Sequence, residues 1–368
     1  MTDIIEHNEP IRLAVDAMGA DAGPETVVDG VAAAVRSGVS ASFTLFGDEQ
    51  RLSALLKDRG LSSSADAVHA DAVVSMTDKP SQVLRRGRNT SMWSAIEAVK
   101  NGDAQAVISG GNTGALMAMS KLQLRMIDGV DRPAITALWP TPRGRVVVLD
   151  VGANVEANAE QLVQFAIMGE AFFRAMTAKG KPTVGLLNVG AEELKGHELI
   201  RTAARVIKDA DPEMAFSGFI EGDDISKGTV DVVVTDGFSG NIALKSAEGA
   251  ARLVGSWMKD ALTGSLFSKL GALLMMRELK NLKQKIDPSS VNGGVFLGLN
   301  GLVIKSHGGA DANGVASAVA LADSLARRPF RDEVAATVER VARKAQKTLQ
   351  DVDAEIDSKA PGAIKAVV

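Results

Sequence analysis

Short runs rich in β-branched residues, each closing on Gly, Asn or Asp, alternate along this chain with longer stretches of helical periodicity. That alternation is the pattern of repeated βα units. Eight runs read as strands: Arg12–Asp16, Ser42–Phe46, Ala106–Ser109, Val146–Asp150, Thr183–Asn188, Ala215–Ile220, Val230–Thr235 and Gly301–Lys305. They lead into AMGADAG, GDE, GGNTGA, VGAN, VGAEE, EGDD, DGFSGN and SHGGADANG respectively. Apolar positions spaced three and four apart predict helices over Glu25–Ser37, Gln50–Arg59, Ser91–Asn101, Asn112–Ile127, Ala159–Thr177, Gly196–Asp209, Asn241–Thr263, Leu266–Lys285, Gly314–Arg327 and Arg331–Ile356. The expected fold class is α/β, three layers with a mostly parallel sheet and helices on both faces. No repeat, low-complexity tract or Ser/Pro linker divides the chain. Residues 11–356 are therefore expected to form one domain, with a leader at 1–10 and a mobile tail at 357–368.

One stretch breaks the pattern. Across Val254–Lys285 two apolar helical segments meet at Thr263-Gly264-Ser265, which predicts a hairpin projecting from the sheet, over about 245–286. Between Lys259 and Lys285 six basic residues face two acidic ones, a local balance of +4 in a chain whose overall charge is −4. Such a face suits a dimer seam with a solvated side, or the docking of an acidic partner or membrane.

Composition narrows the function classes. At 368 residues the chain can bury a core without staples. With 46% hydrophobic but only 4% aromatic residues, and 36 glycines, that core is packed from Ala, Val, Leu and Gly. The net charge gives no general basic field for nucleic acid. The absence of cysteine excludes disulfides, thiolate metal sites and a cysteine nucleophile. MTDIIEHNEP lacks an apolar core, and no run approaches the ~20 apolar residues of a membrane span, so a cytoplasmic protein is expected.

The candidate chemistry lies in the strand-exit loops. In an open parallel sheet, ligands bind beyond the carboxyl ends of the strands, where helix N-termini offer free N–H groups. Gly110, Gly111, Asn112, Thr113 and Gly114, and likewise Ser239, Gly240 and Asn241, would let a backbone approach an anion. Either loop is also explained as a tight strand-to-helix turn. All these loops are expected at one edge, which strengthens the binding reading. Asp16, Asp21, Asp150, Asn154 and Asp236 could bind substrate or cap helices. His307 could serve a site or order its loop. Lys195, at the start of a predicted helix, would place a cation at the binding edge, or else be a solvated first-turn lysine. Glu221-Gly-Asp-Asp224 carries carboxylates at no defined separation. GxxxxGK[ST], HExxH and a GxGxxG with its distal acid are all absent, so neither a cofactor nor a metal is indicated.

Taken together, DAMGAD (16–21), SGGNTGALM (109–117), DRPA (131–134), LDVGAN (149–154), LVQFAIMG (162–169), GLLNVG (185–190), VVVTDGFSGN (232–241) and IKSHGGADANG (304–314) resemble the bacterial fatty acyl-(acyl carrier protein):phosphate acyltransferases, the PlsX family. The match runs in order from about Arg12 to Leu325. The resemblance implies transfer of a fatty acyl group from acyl carrier protein to inorganic phosphate, giving acyl phosphate for phospholipid synthesis. It implies a homodimer, a fold like isocitrate dehydrogenase and phosphotransacetylase, and an onward glycerol-3-phosphate acyltransferase as a downstream partner. Members can sit at the inner membrane surface through the hairpin. The family's catalytic lysine and asparagine fall on Lys195 and Asn241. With this reading Asp16, the Gly110–Gly114 loop, Asn154, Ser239, Gly240 and His307 become phosphate- or substrate-site candidates, and Lys269, Arg277 and Lys280 candidates for carrier docking. A phosphotransacetylase-like enzyme using acyl-CoA is the alternative; a decarboxylating dehydrogenase and a non-enzymatic membrane scaffold are weaker ones.

Overall fold

The computed structural model describes residues 11–348, apart from 178–179, 212, 280–281, 283–292, 329–331, 342–343 and 345–346. The predicted leader, the tail and Lys280 lie outside the described residues. In chain order the elements are β1 (Ile11–Asp16), α1 (Gly23–Arg36), β2 (Ala41–Gly47), α2 (Glu49–Asp58), β3 (Ala65–His69), α3 (Pro80–Arg86), α4 (Ser91–Asn101), β4 (Ala106–Ser109), α5 (Thr113–Leu124), β5 (Ala134–Thr141) and β6 (Gly144–Leu149). There follow α6 (Ala159–Thr177), β7 (Thr183–Leu187), α7 (Glu198–Ala210), β8 (Ala215–Ile220), α8 (Gly222–Lys227), β9 (Val232–Val234), α9 (Gly237–Thr263), α10 (Leu266–Leu274), β10 (Gly294–Leu297), β11 (Leu302–Lys305) and α11 (Ala312–Ala326). A further helix covers 332–341.

Among the described residues, eleven strands form one sheet in the order β3-β2-β1-β4-β11-β10-β5-β6-β9-β7-β8. All eight predicted strands are present. Two buried strands that the pattern does not reveal, β10 and β5, sit at the centre and pair antiparallel with their neighbours. Both are covered on their two faces and show no alternation to read. The third addition, β3, pairs parallel with β2 at one edge, where its outer residues are exposed.

These antiparallel pairings overturn one expectation. The strands β3, β2, β1, β4 and β11 run one way, whereas β6, β9, β7 and β8 run the other. The exit loops therefore fall at two edges rather than one. GADAG, GGNTGA and SHGGADANG leave one half; VGAN, VGAEE, EGDD and DGFSGN leave the other.

Helices cover both faces, giving the expected three layers. On one face α1 and α11 pack together over the first half, and α6 with α7 over the second. Across α6 the run Leu162–Phe173 is buried throughout, as befits a helix enclosed on all sides. By contrast α7 is amphipathic, burying Ala203, Val206, Ile207 and Ala210. The other face carries α4, α5 and the first turns of α9, where Ala243, Leu244 and Ala247 rest on the second core cluster.

The hairpin is present. Its first arm is the last part of α9 and its second is α10, capped by Ser265, whose hydroxyl accepts from Ser268 N at 3.0 Å. The arms touch each other, yet no residue of α10 is buried, and Phe267 is 90% exposed. Among the described residues no helix is long and apolar enough to cross a membrane.

Candidate active site

Strand register assembles the first group of polar residues. Asp16 on β1 pairs with Ser109 on β4, and Ser109 pairs with Lys305 on β11, so all three end their strands in one row. Asp16 is buried and accepts from Ser91 Oγ at 2.7 Å and Ser109 Oγ at 2.6 Å. Burial pushes its carboxyl above the usual range, against the pull of the two serines. Ser109 Oγ in turn accepts from Gly111 N at 3.0 Å. Asn112 caps α5 by accepting from Ala115 N at 3.1 Å, and its amide donates to the carbonyls of Met76 and Asp78 at 2.9 and 3.0 Å. It therefore clamps the 75–78 loop over the glycine turn. Thr113 and Gly114 form the first turn of α5.

Lys305 was not apparent as a site residue. Its Nζ donates to Gly110 O at 3.3 Å and to Ser306 O, and the residue is partly buried. Burial lowers its pKa to about 8, with Asp21 and Asp16 opposing the shift. The signal available in the sequence was a lysine closing the apolar run LVIK immediately before SHGG. His307 follows, partly exposed, with Nδ1 3.3 Å from Gly309 N and Nε2 3.3 Å from Lys245 Nζ. A neutral imidazole accepts at one nitrogen only, so these two donors compete for it. Burial and the nearby Lys245 push its pKa down.

The second group surrounds the exits of β6 and β9. Asp150 is buried and accepts from the backbone N–H groups of Ile135, Gly152, Ala153 and Asn154 at 2.6 to 3.2 Å. Burial outweighs those bonds and raises its pKa. Asn154 is buried as well, donating to Pro133 O at 2.8 Å and to Asp150 Oδ2 at 2.9 Å, so it braces this loop. Asp236 caps α9 through Ser239 N at 2.7 Å, and Ser239 Oγ also donates to it at 3.1 Å. A Cβ on Gly240 would fall 2.0 Å from Asp150 O, so only glycine lets α9 start this close to the β6 exit. The next residue, Asn241, is exposed and lies beside Gly152. Asp224 accepts from Glu221 N at 3.0 Å, which makes that acidic run a helix cap.

Lys195 precedes α7 instead of opening it, since the helix starts at Glu198. It is exposed and pairs with Glu192 at 2.8 Å, a bond that holds its pKa above the ordinary value. The β7 loop that carries it neighbours the β9 exit, hence Asn241. From β11 it is five strands away, about 24 Å at the usual strand spacing.

The two groups meet along α9. Asn241 and Lys245 are four residues apart and share a helix face. Lys245 also pairs with Glu248 at 3.0 Å and reaches across to His307 of the first group. One helix face thus joins Asn241, beside the β6 exit, to the glycine loop after β11. Lys269 and Arg277 are exposed on the hairpin, remote from this junction in sequence.

Comparison with known proteins agrees with this architecture. The phosphate acyltransferase of Maricaulis maris is 54% identical over 334 residues, covering 90% of this chain and 95% of that protein. The phosphate acyltransferase of Caulobacter vibrioides is 51% identical over 335 residues, covering 91% and 93%. Among solved structures, a phosphotransacetylase from Streptococcus pyogenes superposes with a TM-score of 0.59 at 16% identity, covering 86% of this chain and 94% of that one. A branched-chain phosphotransacylase from Enterococcus faecalis gives 0.52 at 13% identity, covering 86% and 99%. At such identities the likeness is one of fold, and it matches the expected phosphotransacetylase-like architecture. The family described as "Fatty acid synthesis protein" matches residues 11–332, and with relatives of this identity over nine-tenths of its length the chain belongs to that family.

Proposed function

We propose that this chain, an acyltransferase of that family, moves a fatty acyl group from acyl carrier protein to inorganic phosphate, releasing acyl phosphate for phospholipid synthesis. The observation that carries the reading is the α9 junction, where Asn241 lies beside Gly152 and Lys245, one turn on, reaches the His307 loop beside the Gly110–Gly111 turn, in a chain whose relatives are phosphate acyltransferases. A phosphate oxygen attacks the thioester carbon, the carbon–sulfur bond breaks, and the carrier leaves as a thiolate. A thiol has a pKa near ~8.5, so its departure needs little acid assistance. The protein's task is to position two reactants and to stabilise charge on the carbonyl oxygen. Asn241 can donate to that oxygen. Lys195, on the adjacent β7 exit, supplies a cation to the acyl donor once released from Glu192.

Purified chain, an acyl-(acyl carrier protein) and phosphate should yield hydroxylamine-trappable acyl phosphate and one free carrier thiol per turnover. Active substrate without product defeats the proposal. Acyl-CoA serving equally well would favour the phosphotransacetylase-like alternative.

The hairpin presents Trp257, Leu266, Phe267, Leu270 and Leu274 to solvent beside Lys269 and Arg277. We assign it to docking the carrier, an acidic protein whose acyl chain needs apolar cover. A second copy of the chain, as in the homodimer the resemblance implies, and an anionic membrane surface are the competing occupants. Carrier-dependent turnover that ignores charge reversal at Lys269 and Arg277 would leave one of those two.

A further inference from the structure

Lys305 is an ammonium held among neutral partners. Of its three N–H donors, two go to the carbonyls of Gly110 and Ser306. Asp16, two strands away in the same row, has each carboxylate oxygen occupied by a serine hydroxyl. Asp21 stands near enough to favour the charged lysine, but among the described residues Lys305 forms no ion pair within 4 Å. A partly buried cation lacking a carboxylate partner destabilises a fold, and an anion entering the site supplies the missing charge.

Beside Lys305, Gly308 admits no side chain, since a Cβ there would lie 2.5 Å from Met76 Cε, 2.8 Å from Asp21 Oδ2 and 3.3 Å from Gly110 O. From the other half of the molecule Lys245 reaches the same loop, and Lys245, Lys305 and Arg252 all disfavour a proton on His307, with Glu248 opposing them. Several cations from two halves of the sheet thus converge on one turn.

We propose that Lys305 holds the phosphate nucleophile, between the exits of β4 and β11, with Lys245 and His307 at the rim. The proposal rests on the reading of the chain as a phosphate acyltransferase and assigns the phosphate to the first half of the sheet. Asn241, which shares a helix face with Lys245, is left to polarise the carbonyl that the phosphate attacks, and Lys195, five strands from β11, to hold the acyl donor away from the reacting atoms. The donor's prosthetic arm carries a phosphate ester with related chemistry, and the kinetic constants separate the two sources.

Steady-state kinetics on the full chain, with phosphate and the acyl donor varied independently, test this. Lys305→Met should raise KM for phosphate about tenfold or more while KM for the donor stays within about twofold. Titration calorimetry with inorganic phosphate alone should show the matching loss of binding. Lys245→Gln, at the exposed rim, should raise the phosphate KM about threefold. Unchanged phosphate KM and unchanged phosphate binding in Lys305→Met overturn the proposal, and so does a rise confined to the donor. Were Lys305→Met not to fold, an unchanged phosphate KM in Lys245→Gln would overturn it. A wild-type chain that binds phosphate through Lys305 but forms no acyl phosphate would sink the proposed reaction and leave this site standing.

Discussion

Replacing Gly240 by alanine sets two effects against each other. In a helix interior alanine is favoured over glycine by about 1 kcal/mol. At this position, however, the new Cβ would lie 2.0 Å from Asp150 O and 2.9 Å from Thr235 Cγ2. The first of these is a backbone carbonyl in a loop pinned by four N–H donors to the Asp150 side chain, so it cannot swing aside. Overpacking of this kind costs about 3 kcal/mol, leaving a net loss of about 2 kcal/mol. With an unfolding entropy of about 2.1 cal/mol/K per residue over 368 residues, the melting temperature should fall by about 3 °C. Because Asn241 is the next residue, a shift of α9 by a fraction of an ångström should also lower turnover about 10- to 100-fold. Gly255 lies in the same helix with nothing within 4 Å of its would-be Cβ, so Gly255→Ala should raise the melting temperature by about 1 °C. Differential scanning calorimetry on both variants, with acyl phosphate assays, makes the comparison. If Gly240→Ala melts at or above wild type, the close approach of α9 to the β6 exit is not a constraint, and the argument fails.

Three further outcomes are expected. Lys195→Ala should reduce turnover about 100-fold with the melting temperature unchanged, and full activity would remove it from the reaction. Lys269→Glu with Arg277→Glu should raise the donor's apparent KM several-fold at low salt, with the difference fading at ~0.5 M salt; an effect insensitive to salt would argue against carrier docking. Lys305 has its folded pKa lowered to about 8 from 10.5 by burial. Between those values the unfolded chain binds more protons, so this group makes stability rise with pH across the window, and below pH 8 its full destabilisation is present. Lys305→Met should therefore melt higher than wild type at pH 7, with the gap closing toward pH 10.5; a gap constant with pH would refute the assignment of that shift.

Much of the active-site material is legible along the chain, because strand ends and helix starts are local events. A run such as VVVTDGFSGN announces a strand, a cap at Asp236 and a helix start through nearest neighbours alone. All eight β-branched runs became strands for this reason, and Asn112 and Asp236 proved to be caps as their residue types allow. The family resemblance drew on the same loops.

The hidden features turn on the pairing of β5 with β10, whose residues are distant in sequence. GVFL at β10 and AITALWPT at β5 are enclosed on both faces, so they carry no alternation, and their antiparallel pairing reverses half the sheet. With that reversal the glycine loops part into two edges, which no local pattern can report. Lys305 looked like the end of an apolar strand, since its significance depends on Ser109 and Asp16 being its neighbours in register. Strands, helix starts and anion-compatible turns follow from residues within a few positions of one another, so the chain announces them locally. Which turns share an edge follows from strand direction and register, and these hinge on pairings between distant segments such as β5 with β10 and β4 with β11.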